Sequence, residues 1–460
     1  MSDFGSQKAN SEHPLDTENV FFIPVGKFFS LPERELYIVY APLANITFIA
    51  SPRQCLEIAR KVNTKNDSAS AEELINKLRQ NSKAPVWNIP PPEDFEEIEI
   101  LPNFDCNFHC TYCYAANSRG NKRLSRRQML GAVDYFFASG HQAKKIRISF
   151  VGGGEPLLAW SEILETIRYA ESKALTSPRE ISYCFITNGS ILSDEMLGVF
   201  RSHRVYIRVS FDILPDIQNR QRGCFKRVAN NITVMSDNGI PVALRAIITP
   251  ESVERMSEMV AFVQENFPKV GKVDLEPVSM SFASPAAAND FYSKYIHNFF
   301  SALKKADAAG IKLDSITRRM SATVKTRYCP GDFCVTPEGE ITICHRIASA
   351  NDKNHDSFVY GEISKDGAIH IDSAKYYAIQ KNKRIDNYAS CKLCYAQYNC
   401  GGGCFLQRTN FEPWLFNVFC DFNRCFLREY ILYGMDRQLR ASCGKTLREY
   451  ISHGMGIDRG

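Results

Sequence analysis

Between about residues 97 and 315 the chain alternates short apolar runs with longer stretches of helical periodicity. The runs "IRISFV" (146–151), "ISYCFIT" (181–187), "YIRVSFD" (206–212), "VALRAIIT" (242–249) and "KVDLEPV" (272–278) are rich in β-branched and aromatic residues and predict strands. Helical stretches such as "LLAWSEILETIRYAESKAL", "SDEMLGVFRSH" and "VERMSEMVAFVQENF" separate them. Such alternation predicts parallel strands with crossover helices, and a functional site on the βα loops at their C-terminal ends. Nearer the start, "ELYIVYAP" and "ITFIAS" read as two strands, followed by the helices "PRQCLEIARKV" and "SAEELINKLRQ". The uncharged run at 36–52 approaches membrane-spanning length, but Pro42, Asn45 and its β-branched content predict two strands and a turn.

The expected organisation is a disordered leader (1–20), a small α+β domain (21–90) and an α/β unit (97–315), with "NIPPPEDFEEIE" as the linker between the last two. A Cys-rich region (325–430) and a helical tail (431–460) follow. In the tail "LREYILYGM" (427–435) recurs as "LREYISHGM" (447–455), seven of nine positions being identical. It reads as a duplicated helical turn, too short for a solenoid.

The 460 residues are 44% hydrophobic and 23% charged, with a net charge of +5. That balance gives no reason to expect nucleic acid as a partner, which would want a concentrated basic stripe. The polar start lacks a secretory pattern, so the expected location is cytoplasmic, with no membrane partner. Sixteen cysteines in such a compartment suggest metal binding rather than disulfides. Three lie at 106–113 and nine between 329 and 425.

The first group, "CNFHCTYCY" (106–114), has the spacing C-x3-C-x2-C in Cys106, Cys110 and Cys113. A structural zinc site would pair its cysteines and close the coordination sphere. Three thiolates can instead hold three corners of a four-iron, four-sulfur (4Fe-4S) cube and leave one iron open. His109 or a distant cysteine are the alternatives for the fourth position. Downstream, "FVGGGEPLL" follows a strand, "TNG" (187–189) ends the next and "VSFD" (209–212) the one after. A phosphate-binding loop would need GK[ST] or GxGxxG, and neither is present.

These elements, in this order, resemble the radical S-adenosylmethionine (SAM) superfamily. The resemblance implies a partial (β/α)6 TIM-like barrel, in which SAM chelates the open iron and is cleaved to a hydrogen-abstracting 5′-deoxyadenosyl radical. It implies SAM contacts from Tyr112, the glycine–glutamate element Gly153, Gly154 and Glu155, and Asn188, Ser210, Asp212 and Arg220. As a single residue each has a blander reading: Tyr112 as a core aromatic, Arg220 as a solvated arginine.

"CPGDFCVTPEGEITICHR" (329–346), "CKLCYAQYNCGGGC" (391–404) and Cys420 resemble the SPASM domain of peptide and protein maturases. Paired zinc knuckles are the structural alternative. The resemblance implies two auxiliary 4Fe-4S clusters, one on Cys329, Cys344 and Cys404 and one on Cys391, Cys394, Cys400 and Cys420, with Cys425 the alternative to Cys420. Cys334 either completes the first cluster or leaves it an open iron. Where sulfatase maturases carry an aspartate base after the cysteine matching Cys344, this chain has His345, which could take a proton near neutral pH.

SPASM-bearing relatives mostly modify peptides. The resemblance therefore implies a ribosomally made precursor peptide as substrate and an external flavodoxin or ferredoxin as electron donor. The N-terminal block would bind the leader by strand addition, or simply cover the barrel. The expected reaction is a side-chain crosslink. Alternatives are epimerisation, with Cys224 or Cys334 as the hydrogen donor, and sulfatase-maturase-like oxidation. Outside enzymes the alternative is a redox sensor, which would not need a SAM pocket.

Overall fold

The computed structural model describes residues 19–25, 36–63, 72–80, 89–138 and 143–454. The expected leader lies outside the described residues, apart from Asn19 and Val20. The N-terminal strands β1 (Phe21–Pro24), β2 (Tyr37–Ala41) and β3 (Ile46–Ala50) form an antiparallel sheet in the order β1-β2-β3. Pro42 and Asn45 make the turn between β2 and β3, with Asn45 in the left-handed region at φ 53°. Alternation along these strands covers both faces of the sheet. Val39, Ala41 and Ala50 pack under the helices Pro52–Asn63 and Glu72–Gln80 through Cys55, Ile75 and Leu78. Ile23, Val25, Ile38 and Tyr40 face the other way, onto the C-terminal helices.

Those helices explain the duplicated tail motif. The first copy lies inside one helix, Pro413–Cys443, which runs straight through the boundary expected at residue 430. The second begins the helix Leu447–Gly454. Leu427 and its counterpart Leu447 are both buried against the N-terminal sheet, as is Ile451, and Ile431 packs beside them. The repeat is thus a doubled i, i+4 apolar edge that grips one face of the sheet.

The central sheet has eleven strands and does not close. Its parallel part follows chain order: β4 (Glu97–Ile100), β5 (Lys145–Phe150), β6 (Glu180–Thr187), β7 (Val205–Ser210), β8 (Val242–Ile248), β9 (Lys272–Pro277) and the three-residue β10 (Lys312–Asp314). This is the expected partial barrel, with a short seventh strand. Outward residues such as Ile207, Val209, Leu244, Val273 and Leu275 are buried under the helices. Inward positions on the same strands are polar: Arg208 and Ser210 on β7, Arg245 on β8, Asp274 and Glu276 on β9.

Four further strands, β11 (Phe333–Val335), β12 (Glu340–Thr342), β13 (Val359–Ile363) and β14 (Ile369–Ile371), extend the barrel sheet beyond β4. β11 runs parallel to β4, with Cys334 opposite Glu99, while β11 to β14 are antiparallel to one another. An exposed β4 edge would leave a row of unpaired backbone groups, and β11 satisfies it. Phe333 fixes the join: it is fully buried, its ring 5.1 Å from Tyr135, 5.0 Å from Phe136 and 6.1 Å from Phe95. Among the described residues no helix is long and apolar enough to cross a membrane.

Phe333→Ala should remove about 3–5 kcal/mol of stability, the cost of emptying a fully packed aromatic site. A fall in the urea midpoint, with β11 amides exchanging faster than those of β6, is the expected result.

Candidate active site

Cys106, Cys110 and Cys113 lie on the loop that leaves β4, at the C-terminal mouth of the barrel. All three are half-buried free thiols. Burial raises the pKa of Cys106 and Cys110, and at both the charge of Cys113 adds to the rise, so the three sulfurs face a common space. His109, the nearby alternative ligand, is exposed. The loop is held from both sides: Thr111 N–H donates to the Gln221 carbonyl at 3.0 Å, and Arg119 donates to the Phe108 carbonyl.

The glycine turn after β5 docks directly onto this loop. Gly154 N–H donates to Asn103 O at 3.1 Å and Glu155 N–H to Asp105 O at 2.7 Å. A Cβ at Gly154 would lie 1.9 Å from the Asp105 carbonyl oxygen, so no other residue fits without moving the chain that leads into Cys106. The Glu155 carboxylate is buried and accepts from Leu157 N at 3.2 Å, the Thr187 hydroxyl at 2.6 Å and Asn188 N at 2.7 Å. Burial pushes its carboxyl up to about 7, against the pull of these donors. Asn188 Nδ2 in turn donates to Asn107 Oδ1 at 2.8 Å. The Glu155 side chain, expected to meet SAM, is thus spent on joining β5, β6 and the cysteine loop.

Tyr112 and Asp212 meet as a buried pair. The Tyr112 hydroxyl donates to Asp212 Oδ2 at 2.6 Å, and Asp212 Oδ1 also accepts from Ile247 N at 3.1 Å. Arg222 completes the group: its Nε donates to the Tyr112 hydroxyl at 2.6 Å, and its Nη1 lies 3.6 Å from Cys110 Sγ. Its guanidinium stands 5.2 Å from the centre of the Tyr112 ring. Arg220, the arginine expected here, is instead exposed and ion-paired with Glu251 at 3.0 Å. It sits on the outer side of the helix Pro215–Gln221, and the chain turns inward only at the cap residue Arg222. Ser210 ends β7 half-buried at the mouth.

The C-terminal cysteines fall into two groups. The charges of Cys329 and Cys344 are both felt at Cys404, or the reverse, and burial pushes Cys344 up to about 12. Cys400 feels Cys420, Cys394 and Cys391. Cys420 feels Cys394 and Cys391 in return, and burial pushes it up to about 12. Cys425 is five residues further along the same helix, roughly 140° round it, and its charged neighbours are Arg428, Asp421, Arg424 and Glu429. The structure therefore brings Cys420, not Cys425, to the other three. Gly401, at φ 60°, turns the chain between the two groups, where a Cβ would strike the Arg327 carbonyl carbon at 2.4 Å.

Cys334 is fully buried on β11 among Leu101, Phe104, Val151 and Ala348. Burial, with Glu99, Asp332 and Cys344 nearby, raises its thiol pKa, and its lack of exposure opposes a role as hydrogen donor to a substrate. His345 Nδ1 lies 3.0 Å from Glu99 Oε2 and 3.3 Å from Asp332 Oδ2. Burial opposes its charge, but the two carboxylates prevail and hold the imidazole protonated, its pKa well above the usual value. The pairing with two carboxylates favours the protonated ring, which opposes the expected role as a base. Any proton acceptor here would be a carboxylate, Glu99 being pushed up by burial and by Asp332. The sequence reading missed Glu99, Asp332 and Arg222. Of these only Arg222 left a local trace, as the second arginine of "RQRG".

Residues 100–263 match the radical SAM superfamily, so the chain carries a radical SAM domain. It is similar to the radical SAM cyclopropyl synthase TigE of Paramaledivibacter caminithermalis, 21% identical over 243 residues, which is 48% of this chain and 50% of the other. The chain thus spans half the length of that relative. It is also similar to the serine-type anaerobic sulfatase-maturating enzyme of Klebsiella aerogenes, 21% identical over 325 residues, 65% of this chain and 76% of the other. Among solved structures, Streptococcus suis SuiB bound to precursor peptide SuiA shares the fold, with a TM-score of 0.51 at 16% identity. That likeness covers 83% of this chain and 82% of the other.

The superfamily's working groups are a 4Fe-4S cluster and SAM, and the donor set fits them. Around one zinc, thiolates at about 2.3 Å from the metal stand roughly 3.8 Å apart. Among the described residues, the only three metal-ligating side chains with ligand atoms within 4.8 Å of one another are Glu99, Asp332 and His345. The three mouth cysteines are spread wider than one ion requires, as the corners of a cube would be.

Arg222→Ala should lower SAM affinity at least tenfold, read by equilibrium dialysis on cluster-loaded protein. Arg220→Ala should leave it within about twofold. Gly154→Ala should reduce the iron bound per chain, because the clash displaces the loop that presents Cys106.

Proposed function

We propose that this protein is a radical SAM peptide maturase that removes hydrogen from a ribosomally made precursor peptide and installs a side-chain crosslink. The observation that carries this reading is the position of Tyr114. Its hydroxyl donates to the Gly152 carbonyl at 2.8 Å, and it lies within electrostatic reach of both Cys113 and Cys344. Tyr114 thus lies between the loop of the SAM-site cysteines and the first auxiliary set, with the Arg346 guanidinium 5.1 Å from its ring centre. A cluster and SAM bound at Cys106, Cys110 and Cys113 supply the hydrogen-abstracting radical. Cys329, Cys344 and Cys404, and beyond them Cys391, Cys394, Cys400 and Cys420, would hold two auxiliary clusters, which would supply an acceptor for the electron left when the new bond forms. A flavodoxin or ferredoxin serves as the external donor.

The N-terminal sheet supports a leader-binding role. Its two faces are covered, so among the described residues β1 and β3 each keep one unpaired edge to which an extended peptide can add. For epimerisation the burial of Cys334 leaves the exposed Cys224 as the candidate hydrogen donor. A second reading, oxidation of a protein side chain, is favoured by the similarity to the sulfatase-maturating enzyme and by Glu99 and Asp332, which offer carboxylate bases beside His345.

Reduced, reconstituted protein should release 5′-deoxyadenosine from SAM, and Cys106→Ala should release none. A peptide encoded beside this gene should lose two hydrogens and resist fragmentation between the crosslinked residues. A product that reacts with a hydrazide would mark a carbonyl and select the oxidation reading. Cys344→Ala should still cleave SAM yet yield no modified peptide. If wild-type protein forms no deoxyadenosine, the enzymatic reading falls.

A further inference from the structure

The inner wall of the barrel from β7 to β10 carries a charge network that no step above uses. Arg208 Nε lies 3.5 Å from Asp274 Oδ2, and Lys272 Nζ lies 3.6 Å from Asp274 Oδ1. Arg245 reaches Asp274 and Glu276 only at 3.9 Å. The close contacts belong to Arg319, at 2.9 Å from Glu276 and 3.2 Å from Asp314. With Arg318 against Asp314 at 3.9 Å, five cations share three carboxylates.

The surplus is arranged in depth. The side chains of Asp274, Asp314 and Glu276 are 0%, 7% and 11% exposed, whereas those of Arg208, Arg245 and Arg319 are 21%, 25% and 39% exposed. The carboxylates are the most enclosed members of the network and the guanidinium groups the more open ones. The Nε atoms of Arg208 and Arg245, and the Asp274 Oδ2 that faces them at 3.5 and 3.9 Å, are all buried without a close hydrogen-bond partner, so the groups stand apart rather than pairing tightly. Burial lowers the pKa of Arg245, the sign of a cation poorly compensated by its neighbours. A buried donor left unmet and a charge left unbalanced both oppose folding unless a ligand completes them. Arg245 is also the cross-strand partner of Ser210, so the wall begins where SAM is expected to end.

We propose that this cationic wall, centred on Arg245 and Arg208, binds a carboxylate of the substrate peptide and seats it beside the cosubstrate. The proposal rests on the maturase reading and adds a substrate class to it: a core segment with an Asp or Glu at or next to the modified position, or one that ends in the chain carboxylate. Planar guanidinium groups suit a carboxylate, which accepts two parallel hydrogen bonds.

The test uses cluster-loaded, SAM-bound protein under anaerobic conditions and three acetylated tripeptides: Gly-Asp-Gly amide, Gly-Asn-Gly amide and Gly-Asn-Gly with a free carboxyl end. Binding is followed by saturation-transfer NMR. A carboxylate peptide should bind at least fivefold more tightly than the Asn amide, and which one wins separates side chain from chain end. Arg245→Gln should abolish the preference and Arg245→Lys keep part of it, with SAM affinity within about threefold in both. If Arg245→Gln does not load its clusters, Arg208→Gln takes its place. Equal binding of all three peptides overturns the proposal. So does a tenfold loss of SAM affinity in Arg245→Gln, which would give the charge to the cosubstrate. Either result with deoxyadenosine still formed leaves the maturase reading standing, whereas absence of deoxyadenosine removes that reading.

Discussion

The parallel pairing of β4 with β11 is the constraint on which the rest of the molecule depends. It turns the barrel and the Cys-rich region into one sheet, with Cys334 opposite Glu99 and Phe333 opposite Ile98. Everything that follows β11 is then placed relative to the mouth of the barrel. Cys344 and His345 leave β12 over that mouth, and Asp332, just before β11, meets His345 from below. Short strands of three residues would not hold this register on hydrogen bonds alone. The aromatic packing around Phe333 supplies the rest.

The chamber formed in this way has two unlike walls. On the β4–β11 side an imidazolium is pinned between two carboxylates. On the β7–β10 side cations predominate. A charged substrate lying between them would meet unlike fields. The apolar contribution comes mainly from outside the barrel, where the helices cover the strands.

Much of this was legible in the sequence. Strands β5 to β9 announce themselves because each combines an apolar face with β-branched content and a turn at its end. The cysteine sets follow from the family resemblance, since spacing alone would leave Cys404 with Cys391, Cys394 and Cys400, and helical phase accounts for Cys420 over Cys425. What local pattern could not give was anything decided by register or by the direction in which one residue points. β11 is too short to show a period, so Glu99 and Asp332 had no reason to be linked with His345. Arg220 and Arg222 are equivalent in composition, and only the end of the helix separates an outward arginine from an inward one. The tail repeat was visible, but its purpose was not. Its apolar edge has meaning only against the sheet formed some four hundred residues earlier.

That sheet is also stitched to the loop of the last cysteine set. The Tyr40 hydroxyl donates to Asn399 Oδ1 at 2.7 Å, and the Tyr398 hydroxyl to Asn19 Oδ1 at 2.6 Å. Asn399 and Tyr398 immediately precede Cys400, and the helix that grips the Tyr40 face of the sheet carries Cys420. The N-terminal sheet and the loop and helix that carry Cys400 and Cys420 thus form one mechanical unit. A displacement of the sheet would therefore be carried through these two hydrogen bonds into the loop that presents Cys400.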